Sequence, residues 1–131
     1  MIKKIIITGG LGYIGTELCK IYSGVSWHHK IIVIDNRFIS ERVNQIRNWN
    51  MEFVQGDILN KELVKKYFSD ADIVHHLAGV TDVPRTKSES TEEKDRKIKE
   101  VGEIGTKNIL DTISKKCKII FPSTHVIYEG I

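Results

Sequence analysis

Glycines at 9, 12 and 15, with an aspartate at 35, are the residues whose types and spacing bear most directly on chemistry. Ahead of them, Lys4-Ile5-Ile6-Ile7-Thr8 reads as a short buried strand. Behind them, Thr16-Glu17-Leu18-Cys19-Lys20-Ile21 reads as an amphipathic helix. A strand, a glycine turn and a helix start in that order can bind a pyrophosphate. The N–H groups of the first helical turn have no partner within the helix, and the helix dipole favours a negative charge there. Glycine lets the chain turn tightly and lets phosphate approach the backbone. Spaced glycines alone are a weak signal, and a purely structural turn is the alternative. The second apolar run, Ile31-Ile32-Val33-Ile34-Asp35, strengthens the first reading. An acid at that strand end can accept hydrogen bonds from adenosine ribose hydroxyls, or can simply start a turn.

Other chemistry-bearing residues point elsewhere. His75 and His76 are neighbours on a strand, so their side chains face opposite ways and do not share a metal. They read as packed or hydrogen-bonded histidines. His28-His29 lies in a loop, and no cysteine–histidine spacing matches a zinc site, so no metal is expected. Cys19 and Cys117 read as two reduced thiols of a cytoplasmic protein.

The elements that must position the glycine turn alternate along the chain. Strands are expected near 5–8, 31–35, 51–55, 73–77 and 119–121. Helices are expected near 12–22, 40–48, 61–68 and 91–115. Continuous apolar strands imply a parallel sheet covered on both faces. Strand–helix alternation makes it a doubly wound α/β sheet, Rossmann-like, in the order 3-2-1-4-5. The ligand belongs at the switch between the first and fourth strands. A chain of 131 residues fits one domain with a real core. A net charge of +3, with basic residues spread among acids, argues against nucleic acid as the main partner. No run reaches the roughly 20 apolar residues of a membrane span, and no signal peptide is read at the start.

The segment 85–100 is crowded with charge and reads as a solvated loop leading into the long helix. Ile98, Val101, Gly105, Ile109 and Ile113 then form one apolar face. Gly102 and Gly105 each cost about 1 kcal/mol against alanine in a helix, which implies a close approach by something.

Six pieces in order carry a family resemblance: TGGLGYIG at 8–15, VIDN at 33–36, GDI at 56–58, HHLAG at 75–79, GTKNIL at 105–110 and PSTHVIYEG at 122–130. The chain resembles the N-terminal part of an extended short-chain dehydrogenase/reductase, of the NAD-dependent sugar-nucleotide epimerase and dehydratase kind. The resemblance implies a pyrophosphate turn made of Gly9, Gly12 and Gly15, with N–H groups from Tyr13 and Ile14. It implies Asp35, followed by Asn36, at the adenosine ribose. It implies Asp57 and Ile58 at the adenine, although Asp57 also suits a plain turn. Leu77, Ala78 and Gly79 would line the middle of the cofactor. Thr124, with Ser123 second, would hold a hydroxyl to the reacting oxygen of the substrate, or be an ordinary strand-end pair.

Two departures from the family pattern stand out. Gly102 occupies a position where relatives carry Asn. The family's catalytic Tyr and Lys lie four apart, and no tyrosine here has lysine four residues on. The expectation is therefore an NAD-binding portion, 1–131, without the catalytic helix and the C-terminal substrate lobe. It would meet a nucleotide-sugar only together with that lobe, would be inactive alone, and would tend to self-associate. The alternatives are a non-catalytic dinucleotide-binding or sensor module, and an assembly domain that binds no dinucleotide.

Overall fold

The computed structural model describes residues 2–78 and 100–121. Gly79, Ser123 and Thr124, the charged segment 85–99 and the start of the long helix lie outside the described residues.

Five parallel strands form one sheet: β1 (Lys4–Thr8), β2 (Lys30–Asp35), β3 (Glu52–Gln55), β4 (Ile73–His76) and β5 (Lys118–Ile120), in the order β3-β2-β1-β4-β5. Helices α1 (Tyr13–Tyr22), α2 (Ser40–Asn48) and α3 (Lys61–Phe68) follow the first three strands. A π-helical segment, Glu100–Gly105, runs into α4 (Thr106–Thr112) ahead of β5. The doubly wound order expected from the sequence is the order found.

Alternation along the strands explains why both faces are covered. Ile6, Ile32, Ile34 and Val74 point to one face and meet Ile58, Val64, Phe68 and Ile109. Ile5, Ile7, Ile31 and Val33 point to the other and meet Leu11, Cys19, Val43 and Ile46. Each such side chain contributes about 1.5–3 kcal/mol on burial. The register sets Thr8 opposite both Ile34 and His76, so the central strand ends level with its neighbours. The glycine turn leaves from that end.

Element boundaries shift by a residue or so from the sequence expectation, and two of the shifts have a visible cause. Asn50 takes a left-handed φ of 60° and closes α2, and the Met51 N–H bonds back to Ile46 O at 3.2 Å. Met51 is thereby held to the helix end, and β3 starts one residue later. The long helix ends at Thr112 rather than 115, because Ile113 turns extended (φ −67°, ψ 150°) and packs into the core. Its 100–105 stretch is π-helical and carries Gly102 and Gly105, residues with wide conformational freedom. Gly105 answers the expectation of a close approach: a Cβ there would lie 2.5 Å from Ile58 Cδ1. Gly102 has nothing within 4 Å among the described residues.

Candidate functional site

The glycines of the turn have different jobs. Gly9 holds φ +67°, and a Cβ on it would meet the Ala78 backbone nitrogen at 2.8 Å. A Cβ on Gly15 would meet Gly9 O and Gly10 Cα at 2.6 Å each. These two allow α1 to sit down on the ends of β1 and β4. Gly12 is the exception. It is the N-cap of α1 with extended backbone (φ −75°, ψ 178°), and its nearest neighbours would be Gly9 O at 3.4 Å and Arg37 Nη2 at 3.8 Å. Packing among the described residues does not require glycine at 12. No side chain caps α1. Tyr13 and Ile14 present exposed side chains, and their N–H groups belong to the first helical turn, where no intrahelical acceptor exists.

Asp35 is buried at the end of β2 and holds the turn from below. Its Oδ2 accepts from the Leu11 N–H at 3.0 Å. Its Oδ1 accepts from the Arg37 N–H at 2.9 Å, and the Arg37 guanidinium reaches both oxygens. From α2, Arg42 donates to Leu11 O and lies over the Tyr13 ring, 5.7 Å from its centre. Two guanidinium groups therefore flank the mouth of the glycine turn. Asn36 is exposed beside them, and its carbonyl accepts from Gln55 Nε2.

On the far side of the sheet end, Asp57 Oδ1 accepts from the Leu59 N–H at 2.9 Å, the turn role that its type also allowed. Ile58 is 4% exposed and packs under Gly105, so its side chain serves the core. Leu77 and Ala78 are half-buried at the end of β4.

A buried polar chain, not foreseen from the sequence, ties these ends together. Thr8 Oγ1 accepts from the Leu77 N–H at 3.1 Å and the Ala78 N–H at 3.0 Å. Both hydroxyl lone pairs are then used, so its O–H donates to His76 Nδ1 at 2.9 Å. His76 therefore carries its proton on Nε2, which donates to Thr106 Oγ1 at 2.8 Å. Burial pushes the His76 pKa down to about 4. On the opposite face, His75 Nε2 pairs with the Tyr22 hydroxyl at 2.7 Å; burial lowers the histidine and raises the tyrosine. Both histidines are hydrogen-bonded residues, and no cluster of three or more metal-ligating side chains occurs among the described residues.

This histidine carries a pH dependence. The folded pKa of His76 lies below its ordinary 6.5, so the unfolded chain binds its proton first. Stability is full above pH 6.5 and falls as the pH drops toward 4, by up to about 3 kcal/mol for this group. Urea melts at pH 7 and pH 4.5 should show that loss, and His76→Asn should reduce the slope. An identical slope in the variant would show that His76 is not the group responsible.

Residues 6–129 match the 3-beta hydroxysteroid dehydrogenase/isomerase family. The chain belongs to that family. As a member, it carries the short-chain dehydrogenase/reductase layout read from its motifs. It is 33% identical over 135 residues to a dTDP-D-glucose 4,6-dehydratase of Dictyostelium discoideum, covering 97% of this chain and 30% of the relative. It is similar to the UDP-glucose 4-epimerase of Thermotoga maritima with UDP-glucose: TM-score 0.68, 26% identity, 92% of this chain and 38% of that one. It also shares its fold with a dTDP-glucose 4,6-dehydratase of Bacillus anthracis in complex with NAD, at TM-score 0.69 and 24% identity, over 96% of this chain and 39% of that one. This family member thus spans between three and four tenths of the length of those relatives. Two cysteines are free, Cys19 buried with its thiol pushed up to about 12 and Cys117 half-buried. No helix among the described residues is long and apolar enough to cross a membrane.

Proposed function

We propose that this chain is the NAD-binding portion of a nucleotide-sugar epimerase or dehydratase. Gly12 carries the reading. It caps α1 where the fold would accept a side chain, and no capping side chain covers the first-turn N–H groups. That opening fits a pyrophosphate against the N–H groups of Tyr13 and Ile14. Asp35 supplies a carboxylate at the adjoining strand end. Gly9 and Gly15 bring the turn onto Leu77 and Ala78, with Gly79 next in the chain; Asn36 would stand by the ribose, and Asp57 and Ile58 would bound the adenine side. Bound NAD would supply a hydride acceptor. Thr124, with Ser123 beside it, would hold the reacting hydroxyl of the sugar. The identity with a dTDP-glucose dehydratase and a CDP-paratose 2-epimerase supports the substrate class.

Calorimetric titration with NAD tests this. Saturable one-to-one binding is expected, and ADP-ribose should compete. No heat with NAD at millimolar concentration would sink the proposal.

A second reading, a non-catalytic dinucleotide-binding module, is favoured by one observation. Gly102 stands where the family resemblance implies an asparagine that supports the active site. The intact mass of the protein from its natural source, read with the sequence beyond 131, separates the two.

A further inference from the structure

The glycine turn leaves the sheet at the end where β1, β2 and β4 finish. At the opposite end, where the strands begin, lies an open cleft of about 410 Å³. Sites for small molecules fall at about 300–1,000 Å³. Its floor is apolar, made by the buried Ile31 and Met51. Its rim is polar: His29 and Lys30 where β2 begins, Arg47 and Asn50 where α2 ends, and Glu52 where β3 begins. Lys30 and Arg47 are exposed, and neither has an ion-pair partner among the described residues. Glu52 shares the rim but pairs with neither of them. His29 adds a neutral donor. Its Nδ1 accepts the Lys3 N–H at 3.1 Å, which leaves the ring proton on Nε2.

A helix C-terminus ordinarily repels an anion through its open carbonyls. Here those carbonyls are taken. Gln45 O accepts from the Trp49 N–H at 3.0 Å, Ile46 O from Met51 at 3.2 Å, and Arg47 O from Asn50 at 3.0 Å. The left-handed Asn50 makes that closure, and its Nδ2 donates to Ser26 O at 3.3 Å.

We propose that this cleft binds a phosphate group, free or as a small monoester, with Arg47 and Lys30 as counter-charges and His29 Nε2 as a third donor. A planar guanidinium can pair with two phosphate oxygens, and an ammonium adds a compact charge. Two cations match a phosphate dianion better than a single carboxylate. Ile31 and Met51 offer apolar surface to the organic part of a monoester. The cleft and the glycine turn sit at opposite ends of the sheet, so the proposal is independent of the dinucleotide reading.

The test is an amide NMR titration of the whole chain with inorganic phosphate, glycerol phosphate and acetate at fixed ionic strength. A pH of about 8 keeps the phosphates dianionic. Both phosphates should give saturable shifts at 29–30 and 50–52, with acetate weaker. Tighter binding of glycerol phosphate would assign an organic monoester, and tighter binding of inorganic phosphate the free ion. Arg47→Ala should weaken binding about tenfold. Arg47→Lys should weaken it about threefold, since lysine keeps the charge and loses the paired geometry. Glu52→Gln should tighten it. Both positions are exposed, so the fold should survive, with amide spectra unchanged away from the cleft. Shifts confined to the glycine turn, shifts that do not saturate, acetate binding as tightly as phosphate, or unchanged affinity in Arg47→Ala would each overturn the proposal.

Discussion

Incubated with NAD and a panel of UDP-, dTDP-, GDP- and CDP-sugars, the 131-residue chain alone is expected to give neither NADH absorbance nor an altered sugar. Oxidising a sugar hydroxyl needs a base at its proton, worth about 10²–10⁴-fold in rate. The two histidines at the end of β4 are engaged. His76 has its Nδ1 on the Thr8 hydroxyl and its Nε2 on Thr106, and burial pushes it down to about 4. His75 is held by Tyr22, whose own pKa is raised by burial. Tyr13 and Tyr67 have no lysine four residues on, so the tyrosine–lysine pair implied by the family motif is not formed by them. The hydroxyl of Thr124 is a very weak base without help. Orientation of the sugar is a separate and larger demand, about 7–11 kcal/mol of a barrier. The assay should use chain of verified mass, free of any longer enzyme. Sustained turnover under those conditions would show that a base has been overlooked.

The strands were legible because they are apolar on both faces. A run such as Ile31–Ile34 has few folds open to it other than a covered parallel strand, and each strand lies within a residue or so of its expected position. The glycine turn was legible because its spacing sits between a strand and a helix. What the sequence does not display is side-chain pairing across the sheet. Thr8 and His76 are 68 positions apart and meet only because β1 and β4 pair in that register. A Thr closing β1 and a His near the end of β4 were the available signal, and knowing the register would have joined them. Arg42 was missed for a similar reason: its partner, Leu11 O, is a backbone carbonyl, which no motif marks. The sequence does not distinguish the π-helical turn from plain α-helix, since a period of three and four residues fits both over so short a length.

Valine at position 12 and valine at position 15 should fail in opposite ways, and the contrast separates ligand binding from folding. At Gly12 the backbone is extended, which any residue adopts, and among the described residues a Cβ meets only Gly9 O at 3.4 Å and Arg37 Nη2 at 3.8 Å. Gly12→Val should therefore fold, losing about 1 kcal/mol as a poorer N-cap. Its branched side chain would fill the space over the first-turn N–H groups, and NAD binding should fall below detection. At Gly15 the Cβ would lie 2.6 Å from Gly9 O and from Gly10 Cα, both backbone atoms of the turn. Neither can yield without lifting α1 off the sheet, where Cys19 is fully buried against Leu11 and Val33. Gly15→Val should lose about 3 kcal/mol, a fall in Tm of roughly 10 °C. Thermal melts and NAD titrations on both variants check this. Unchanged NAD affinity in Gly12→Val would remove the pyrophosphate from this turn. A Gly15→Val chain as stable as the parent would mean that the glycine there is not a packing requirement, and that α1 can move without cost.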